Sequence, residues 1–492
     1  MDLVEVAGTN WSDTWHEAAA TAFNDILGGG KTGRYPASAS TAVQVRAPKL
    51  SDEGAPFAAL IHPENASSGG YAGMSLVVFP SGTARPAMIA MVVGTLGLGP
   101  DAPILGRPGH GRRLAALTRW LNAEFGAGEM IAWAKSDPAA IEVDLPDEIR
   151  KRFPQFQSAL SKYGRVTYAL CVPPDRPDAI RTAVHAFLDV AMDARGIRPL
   201  SAHLPEADRL LGTYLGRLMP DLTAMDVGAL LERRKYAVIE GPPGTGKTRL
   251  ALEILHDVYR GRGATVQFHP GTTYETFVGG LMPVTSAQDA GLRFVPRGGY
   301  LMAAAEAAEA CAPEPYLLHV DEINRADLSR VLGESIYLLE SAAERARSVN
   351  LPYAFPSQDG RSERSTLTIP SNLHILGTMN SADRSIAILD VAIRRRFAFV
   401  RLWPQRKVVE ANACELMLSA FDRLAAIFID WATEDAFALL PGHSYFLDDS
   451  EATTPITLRQ NLVPLLEEYL AQGYLPGFSE QIRAYIQWIE SL

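Results

Sequence analysis

The octapeptide Gly241-Pro242-Pro243-Gly244-Thr245-Gly246-Lys247-Thr248 follows an apolar run, Tyr236-Ala237-Val238-Ile239, and opens a helical stretch from Arg249 to Tyr259. It fits the pattern G-x-x-x-x-G-K-[ST] in the strand, loop and helix setting that the pattern needs. The glycines let backbone N–H groups turn inward around phosphates. Lys247 adds a positive charge and the helix N-terminus adds its dipole. Thr248 would place a hydroxyl on Mg²⁺. Further on, the apolar strand Tyr316 to Val320 ends in Asp321-Glu322. Adjacent carboxylates at the C-terminal edge of a parallel sheet lie where phosphate and metal sit. Asp321 is placed to hold Mg²⁺, directly or through water, and Glu322 to orient and deprotonate an attacking water. Alone, Asp-Glu after a strand is common as a solvated turn; the upstream loop is what gives the pair its chemistry. His319, inside the strand, reads as a packed core histidine.

Two more groups fall into place around these. The strand Leu373 to Leu376 leads into Gly377-Thr378-Met379-Asn380. A polar side chain at that strand end can reach between the γ-phosphate and the lytic water, which makes Asn380 a sensor candidate. The run Arg394-Arg395-Arg396 follows a short helix. Three arginines in a row are usually a solvated face. At the edge of a nucleotide domain they would meet a neighbouring copy's nucleotide and stabilise charge on the transferring phosphoryl group.

The elements that must position these residues follow from periodicity. From about residue 206, short apolar runs (236–239, 265–268, 316–320, 373–376) alternate with helix-length segments, which predicts a parallel sheet built from βαβ units. After Trp403 helical periodicity takes over, as in Val408 to Trp431 and Leu458 to Leu470. The first third differs. Strand-like runs at 74–79 and 87–93 are flanked by helical stretches, Arg112 to Phe125 and Pro177 to Ala194, and this predicts an α+β domain. Gly196 to Pro205 reads as a linker. The expected division is 1–200, 206–403 and 404–492.

Composition narrows the class. The chain has 492 residues, 47% apolar and 21% charged, as in ordinary globular proteins. It lacks an apolar run of membrane-spanning length and a signal-like N-terminus. Three scattered cysteines, Cys171, Cys311 and Cys414, suggest no disulfide framework, and a cytoplasmic location is expected. The net charge of −10 argues against coating nucleic acid by bulk charge. Residues 1–200 carry 19 basic and 20 acidic residues, so nearly all of the imbalance lies beyond them. If either part touches DNA, the first is the better candidate. Trp11, Trp15, Trp120 and Trp133 could stack a flipped base, although tryptophans in such a domain are more often core. No arrangement of acidic residues with a lysine resembles a nuclease centre. Glu142, Asp144, Glu148 and Lys151 lack the spacing.

The order of these motifs resembles that of AAA+ proteins, and four stretches are similar to the McrB family. They are Gln267-Phe268-His269-Pro270 with Tyr274 to Gly280, Asp321-Glu322-Ile323-Asn324-Arg325-Ala326, Met379-Asn380-Ser381-Ala382-Asp383-Arg384-Ser385, which matches MNxxDRS, and Gly442-His443-Ser444-Tyr445-Phe446 with Pro464 to Tyr469. The resemblance spans about residues 206 to 475. It implies a P-loop AAA+ core, a parallel sheet flanked by helices, with a helical lid, preceded here by the α+β domain. It also implies insertions at 281–300 and 345–370, a nucleotide-binding role for Asp383, and GTP (or ATP) with Mg²⁺ as cofactors. The implied assembly is a ring of copies, a hexamer, working with a McrC-like nuclease subunit and reaching DNA through the N-terminal domain. The rival reading is a MoxR-like ATPase that remodels a protein complex; it shares the insertion but does not usually combine MNxxDRS with GHSYF. A nucleotide-gated binding module without turnover would keep Lys247 but not need Glu322.

Overall fold

The computed structural model describes residues 1–28, 33–48, 55–285, 292–339, 347–357, 362–382 and 391–492. The chain divides into two compact units, Met1–Pro220 with Ile427–Thr433, and Asp221–Ala426 with Glu434–Leu492. The helix Leu204–Leu215 therefore groups with the first unit, as does the end of the helix Glu415–Trp431.

In the first unit, β1 (Gln44–Arg46), β2 (Ala58–Ile61), β3 (Met74–Phe79), β4 (Met88–Val93), β5 (Ala132–Ala134) and β6 (Thr167–Cys171) form one sheet in the order β1-β2-β3-β4-β6-β5. Every pairing is antiparallel. β3 and β4 are buried at every position, which is why they read as continuous apolar runs rather than alternating ones. On one face Val77, Phe79, Met88, Ala90 and Val92 pack with Ile149, Phe153, Phe156 and Leu160. The helix Pro177–Asp193 also lies against β3 and β4. It starts on a proline, whose fixed φ and missing N–H suit the first helical turn.

The second unit contains β7 (Tyr236–Gly241), β8 (Gly263–Gln267), β9 (Gly279–Thr285), β10 (Leu292–Gly298), β11 (Tyr316–Asp321), β12 (Ser348–Pro356), β13 (Glu363–Thr368), β14 (Leu373–Asn380) and β15 (Ala398–Arg401). Five of them make a parallel sheet in the order β15-β7-β14-β11-β8. Alternate residues serve opposite faces: Tyr236, Val238, Leu318 and Val320 enter one core, and Ala237, Ile239, Leu317 and Leu376 the other. A parallel sheet covered on both faces needs such unbroken apolar strands. The crossovers bring the C-terminal ends of β7, β11 and β14 side by side.

Two antiparallel hairpins, β9 with β10 and β12 with β13, interrupt the βαβ order where the family resemblance places its insertions. The C-terminal part is helical, including Arg406–Asn412, Val463–Ala471 and Ser479–Ser491. The predicted continuous helix Val408 to Trp431 is broken at Ala413, which adopts an extended backbone. Among the described residues, no helix is long and apolar enough to cross a membrane.

Candidate functional site

The loop after β7 turns on Gly244 and Gly246, at φ of +79° and +81°, a backbone region that side chains with a Cβ rarely adopt. The helix Lys247–Glu253 starts directly after it. The Lys247 ammonium lies 3.0 Å from the Gly241 carbonyl oxygen and 2.9 Å from that of Pro242, so it sits within the loop's own curve. The Thr245 hydroxyl donates to the Pro242 carbonyl at 2.9 Å and fixes the turn.

Register does the rest of the positioning. β14 pairs with β7 so that Asn380 lies opposite Gly241, and Ser381 N–H donates to the Gly241 carbonyl at 3.0 Å. β14 therefore ends at the mouth of the glycine-turned loop. β11 pairs with β14 on its other side, with Val320 opposite Gly377, and this carries Asp321 to the same edge. The Thr248 hydroxyl donates to Asp321 Oδ1 at 3.1 Å, although 73 residues separate the two. One hydroxyl and one carboxylate are hard oxygen donors. This set fits Mg²⁺, which binds through one or two carboxylates plus substrate phosphates and keeps several waters. Among the described residues there is no cluster of three or more His, Cys, Asp or Glu side chains that would form an all-protein metal cage. Bound there, the metal would neutralise phosphate charge.

Glu322 adopts φ of +53°, a left-handed conformation that is rare and costly for a residue with a side chain. Its carboxylate is partly shielded and lies 3.4 Å from Arg325 Nε. Asn324 is buried and its amide donates to the Asn380 backbone carbonyl at 3.4 Å, which ties the strand end carrying Glu322 to the one carrying Asn380. The Asn380 side-chain oxygen accepts from Ala382 N–H at 3.1 Å.

Thr378 is the residue that sequence reading passed over. Its hydroxyl donates to Asp321 Oδ1 at 2.5 Å and lies 3.5 Å from His319 Nε2. The other ring nitrogen of His319 is 3.3 Å from the Thr265 hydroxyl. Burial pushes the His319 pKa down to about 4, against the pull of Asp321. A neutral imidazole thus links β8, β11 and β14 behind the carboxylate, consistent with a packed core histidine. The available signal for Thr378 was its place two residues before Asn380 on one strand, hence on the same face.

The C-terminal part also meets the loop. Gly442 N–H donates to the Pro243 carbonyl at 2.9 Å, and Ser444 N–H to the Gly244 carbonyl at 3.0 Å. The approach is so close that a Cβ on Gly442 would fall 1.9 Å from the Gly244 carbonyl carbon. His443 is buried beside Gly246; burial, with Arg249 nearby, holds its pKa below the usual imidazole value.

Of the remaining expected residues, Arg394 and Arg395 are exposed and Arg396 is half-buried, on the short helix Val391–Arg396. The Arg394 guanidinium lies over the Phe399 ring at 5.4 Å. Asp383 lies outside the described residues. In the first unit, Trp15 and Trp120 are 2% and 4% exposed and belong to the core, while Trp11 and Trp133 are half-buried.

A glycine-turned phosphate loop, a carboxylate pair on the third strand of a five-stranded parallel sheet and a polar strand end between them define a P-loop nucleoside triphosphatase of the AAA+ class. The family described as AAA domain (dynein-related subfamily) matches residues 237–397. Within that class the chain is similar, over about half its length, to McrB-type proteins. It is 32% identical over 273 residues to the type IV methyl-directed restriction enzyme EcoKMcrB subunit of Escherichia coli, a match covering 51% of this chain and 57% of that one. It is 25% identical over 204 residues to the type II restriction enzyme BsuMI component YdiS of Bacillus subtilis, covering 35% of this chain and 59% of that one. The matched part thus spans a little over half the length of each relative. A solved structure of NtrX from Brucella abortus aligns with 58% of this chain and 63% of its own at 16% identity and a TM-score of 0.24, too loosely to bear on the fold.

Proposed function

We propose that the chain is the GTP-hydrolysing motor of a restriction system, assembled as a ring of copies and coupled to a separate nuclease subunit. The observation that carries this reading is the similarity to a restriction-enzyme subunit across half the chain, joined to a site whose parts converge at one sheet edge. In this reading the loop Gly241 to Thr248 holds the triphosphate, with Asp383 contributing to nucleotide binding. Thr248 and Asp321 hold Mg²⁺. Glu322 takes the proton of the attacking water and Asn380 senses the γ-phosphate. One or more of Arg394, Arg395 and Arg396 reaches the nucleotide of the adjacent copy. The exposure of Arg394 and Arg395 leaves them free to do so. DNA binds through the first unit.

The purified chain with GTP and Mg²⁺ leaves modified and unmodified DNA intact. Adding the protein encoded in the adjacent reading frame raises the hydrolysis rate and produces cuts. Magnesium-dependent cleavage by this chain alone, lost on substitution within residues 1–220, would overturn the motor assignment. GTP outcompetes ATP in binding; equal affinities would move the chain toward a protein-remodelling ATPase. An arginine-to-alanine subunit mixed with a Lys247→Ala subunit regains activity, because an intact composite site forms at the mixed interface. Full activity of the triple alanine variant alone would remove those arginines from the reaction.

A further inference from the structure

The phosphate loop reads phosphates and has no means of telling one base from another. A second feature of the same unit has such means. A cavity of about 230 Å³ opens beside the loop, many times the roughly 10–15 Å³ that one water needs. Gly246 and His443 contribute one part of its wall, and Leu222, Leu402 and Val408 give it apolar sides. Its polar groups include Asp221 and Lys407, which form an ion pair. Arg249, Glu253 and Gln405 also line it, so the wall is about equally polar and apolar, a composition suited to a flat heterocycle with a hydrogen-bonding edge.

The ion pair is not required by the fold. Its side chains are 48% and 66% exposed, and a pair that open to water adds little stability. Nor is Asp221 used to cap the helix that follows it. That helix, Ala224–Arg234, is closed by a capping box of Thr223 and Asp226, with the Asp226 N–H donating to the Thr223 hydroxyl at 3.2 Å. A carboxylate and an ammonium are thus held at the wall of a slot of mixed polarity that begins at Gly246, the residue preceding Lys247.

We propose that this cavity takes the base of the nucleotide and that Asp221 reads it as guanine. The carboxylate accepts from guanine N1–H and from the exocyclic N2 amine, and Lys407 donates to O6. Adenine presents an unprotonated ring nitrogen and a C–H at the two positions where guanine presents donors. A carboxylate would then face a lone pair and lose a charge-assisted bond. A site built to pair with a donor rejects the analogue that lacks it far more strongly than apolar contact could. This inference rests on the GTP reading above and names the residue responsible for it.

The test is competition binding to the full chain with Mg²⁺, using GTP, ATP, inosine triphosphate and xanthosine triphosphate against wild type and Asp221→Asn. Wild type binds GTP at least tenfold more tightly than ATP, and more tightly than inosine triphosphate, which lacks the N2 amine. The variant loses at least tenfold for GTP. It gains affinity for xanthosine triphosphate, because the asparagine amide can donate to the O2 of xanthine while its oxygen accepts from N1–H. That gain cannot arise from a damaged fold. If wild type prefers GTP but the variant's GTP:ATP and GTP:xanthosine triphosphate ratios stay within twofold of it, Asp221 is not the reader and the GTP reading stands. A uniform loss for all four nucleotides also overturns the assignment. If wild type binds ATP as well as GTP, the GTP reading falls and this inference falls with it.

Discussion

The two units handle polar side chains in opposite ways. In the first unit the charged groups are turned inward and consumed by the structure. Arg34 is 2% exposed, forms a two-pronged pair with Asp189 and a third bond to Glu206, and lies beside His185. Arg195 pairs with buried Asp101. The Lys135 ammonium donates to three carbonyls, those of Ala140, Val143 and Arg165. In the second unit polar groups from two strand ends and from the helix after the phosphate loop converge from distant parts of the chain, Thr248, Asp321 and Asn380, with buried Thr378 behind Asp321. Buried charges that satisfy each other hold a shape. Partly exposed ones gathered at a sheet edge are available to a ligand. The comparison predicts that substitutions in the first group cost stability and leave nucleotide turnover nearly unchanged, and that those in the second do the reverse.

The largest effect belongs to the loop. Lys247→Ala abolishes nucleotide binding, because its ammonium acts on the ground-state phosphates. Glu322→Gln keeps binding and loses turnover by a factor on the order of 10²–10⁴, the usual contribution of a positioned proton acceptor. Equilibrium binding and steady-state hydrolysis on the same preparations separate the two. A Glu322→Gln protein that turns over at the wild-type rate would remove that carboxylate from the reaction. In the first unit, Arg34→Ala removes the guanidinium paired with Asp189, which is 15% exposed and keeps only the Tyr35 hydroxyl among its described hydrogen-bond partners. Breaking such a pair costs roughly 3–5 kcal/mol, reduced here because Glu206 is 32% exposed and partly solvated. Denaturant unfolding of the first unit shifts by that amount, while turnover per folded molecule is unchanged. A turnover defect without a stability defect would break the contrast between the units.

The same contrast decides what was legible in the sequence. The loop Gly241 to Thr248 and the pair Asp321-Glu322 are visible because phosphate chemistry fixes residue type and spacing over a few positions. Three of the five strands of the parallel sheet, β7, β11 and β14, are visible because burial on both faces leaves near-continuous apolar runs, whereas the edge strand β8 is mostly half-exposed and shows only a short run at its end. β15 is four residues long and half-exposed, and its short run Phe397 to Val400, directly after the three arginines, was passed over. Thr378 was missed because a threonine in a strand is ordinary; only the register of β14 against β11 brings it to Asp321. The Asp221–Lys407 pair joins residues 186 positions apart and has no local signature at all. In the first unit the strands could be read, but the partners of Arg34 lie more than 150 residues away, beyond anything periodicity reports.

Thr378 gives a smaller effect that sharpens the comparison within the second unit. Thr378→Val keeps the shape but removes the hydroxyl that holds Asp321 Oδ1. Loss of a group that orients a metal ligand costs about 10–100-fold in metal affinity or activity. The expected signature is a raised Mg²⁺ requirement for hydrolysis, restored by Thr378→Ser, with little change in unfolding. A Thr378→Val protein with an unaltered Mg²⁺ titration would show that Asp321 is held by the strand alone.

The smallest effect sets the two units against each other through a motif they share, a buried histidine against a tyrosine hydroxyl. In the first unit His110 Nε2 lies 3.1 Å from the Tyr168 hydroxyl, and burial, with Arg195, Arg113 and Arg107 nearby, lowers its pKa to about 3. In the second, His374 Nδ1 lies 2.5 Å from the Tyr259 hydroxyl, and burial, with Lys235 nearby, lowers its pKa to about 4. An unfolded histidine binds its proton near pH 6.5. Below that value the unfolded chain holds a proton that the folded chain does not, so unfolding takes up protons and stability falls as the pH falls. The contribution is fully present above pH 6.5 and is lost on acidification, down to about pH 4 for His374 and about pH 3 for His110. The full shift corresponds to roughly 3 kcal/mol for His374 and roughly 5 kcal/mol for His110, taken as upper figures. Denaturant unfolding between pH 7 and pH 4.5, followed separately for the two units, gives a positive slope of stability with pH in both. His374→Gln reduces the slope in the second unit only and His110→Gln in the first only. A slope left unchanged by both substitutions would assign the acid sensitivity to other groups, the further histidines of lowered pKa, His185, His319 and His443, or the carboxylates, and the two pairs would then be packing contacts without a role in proton linkage.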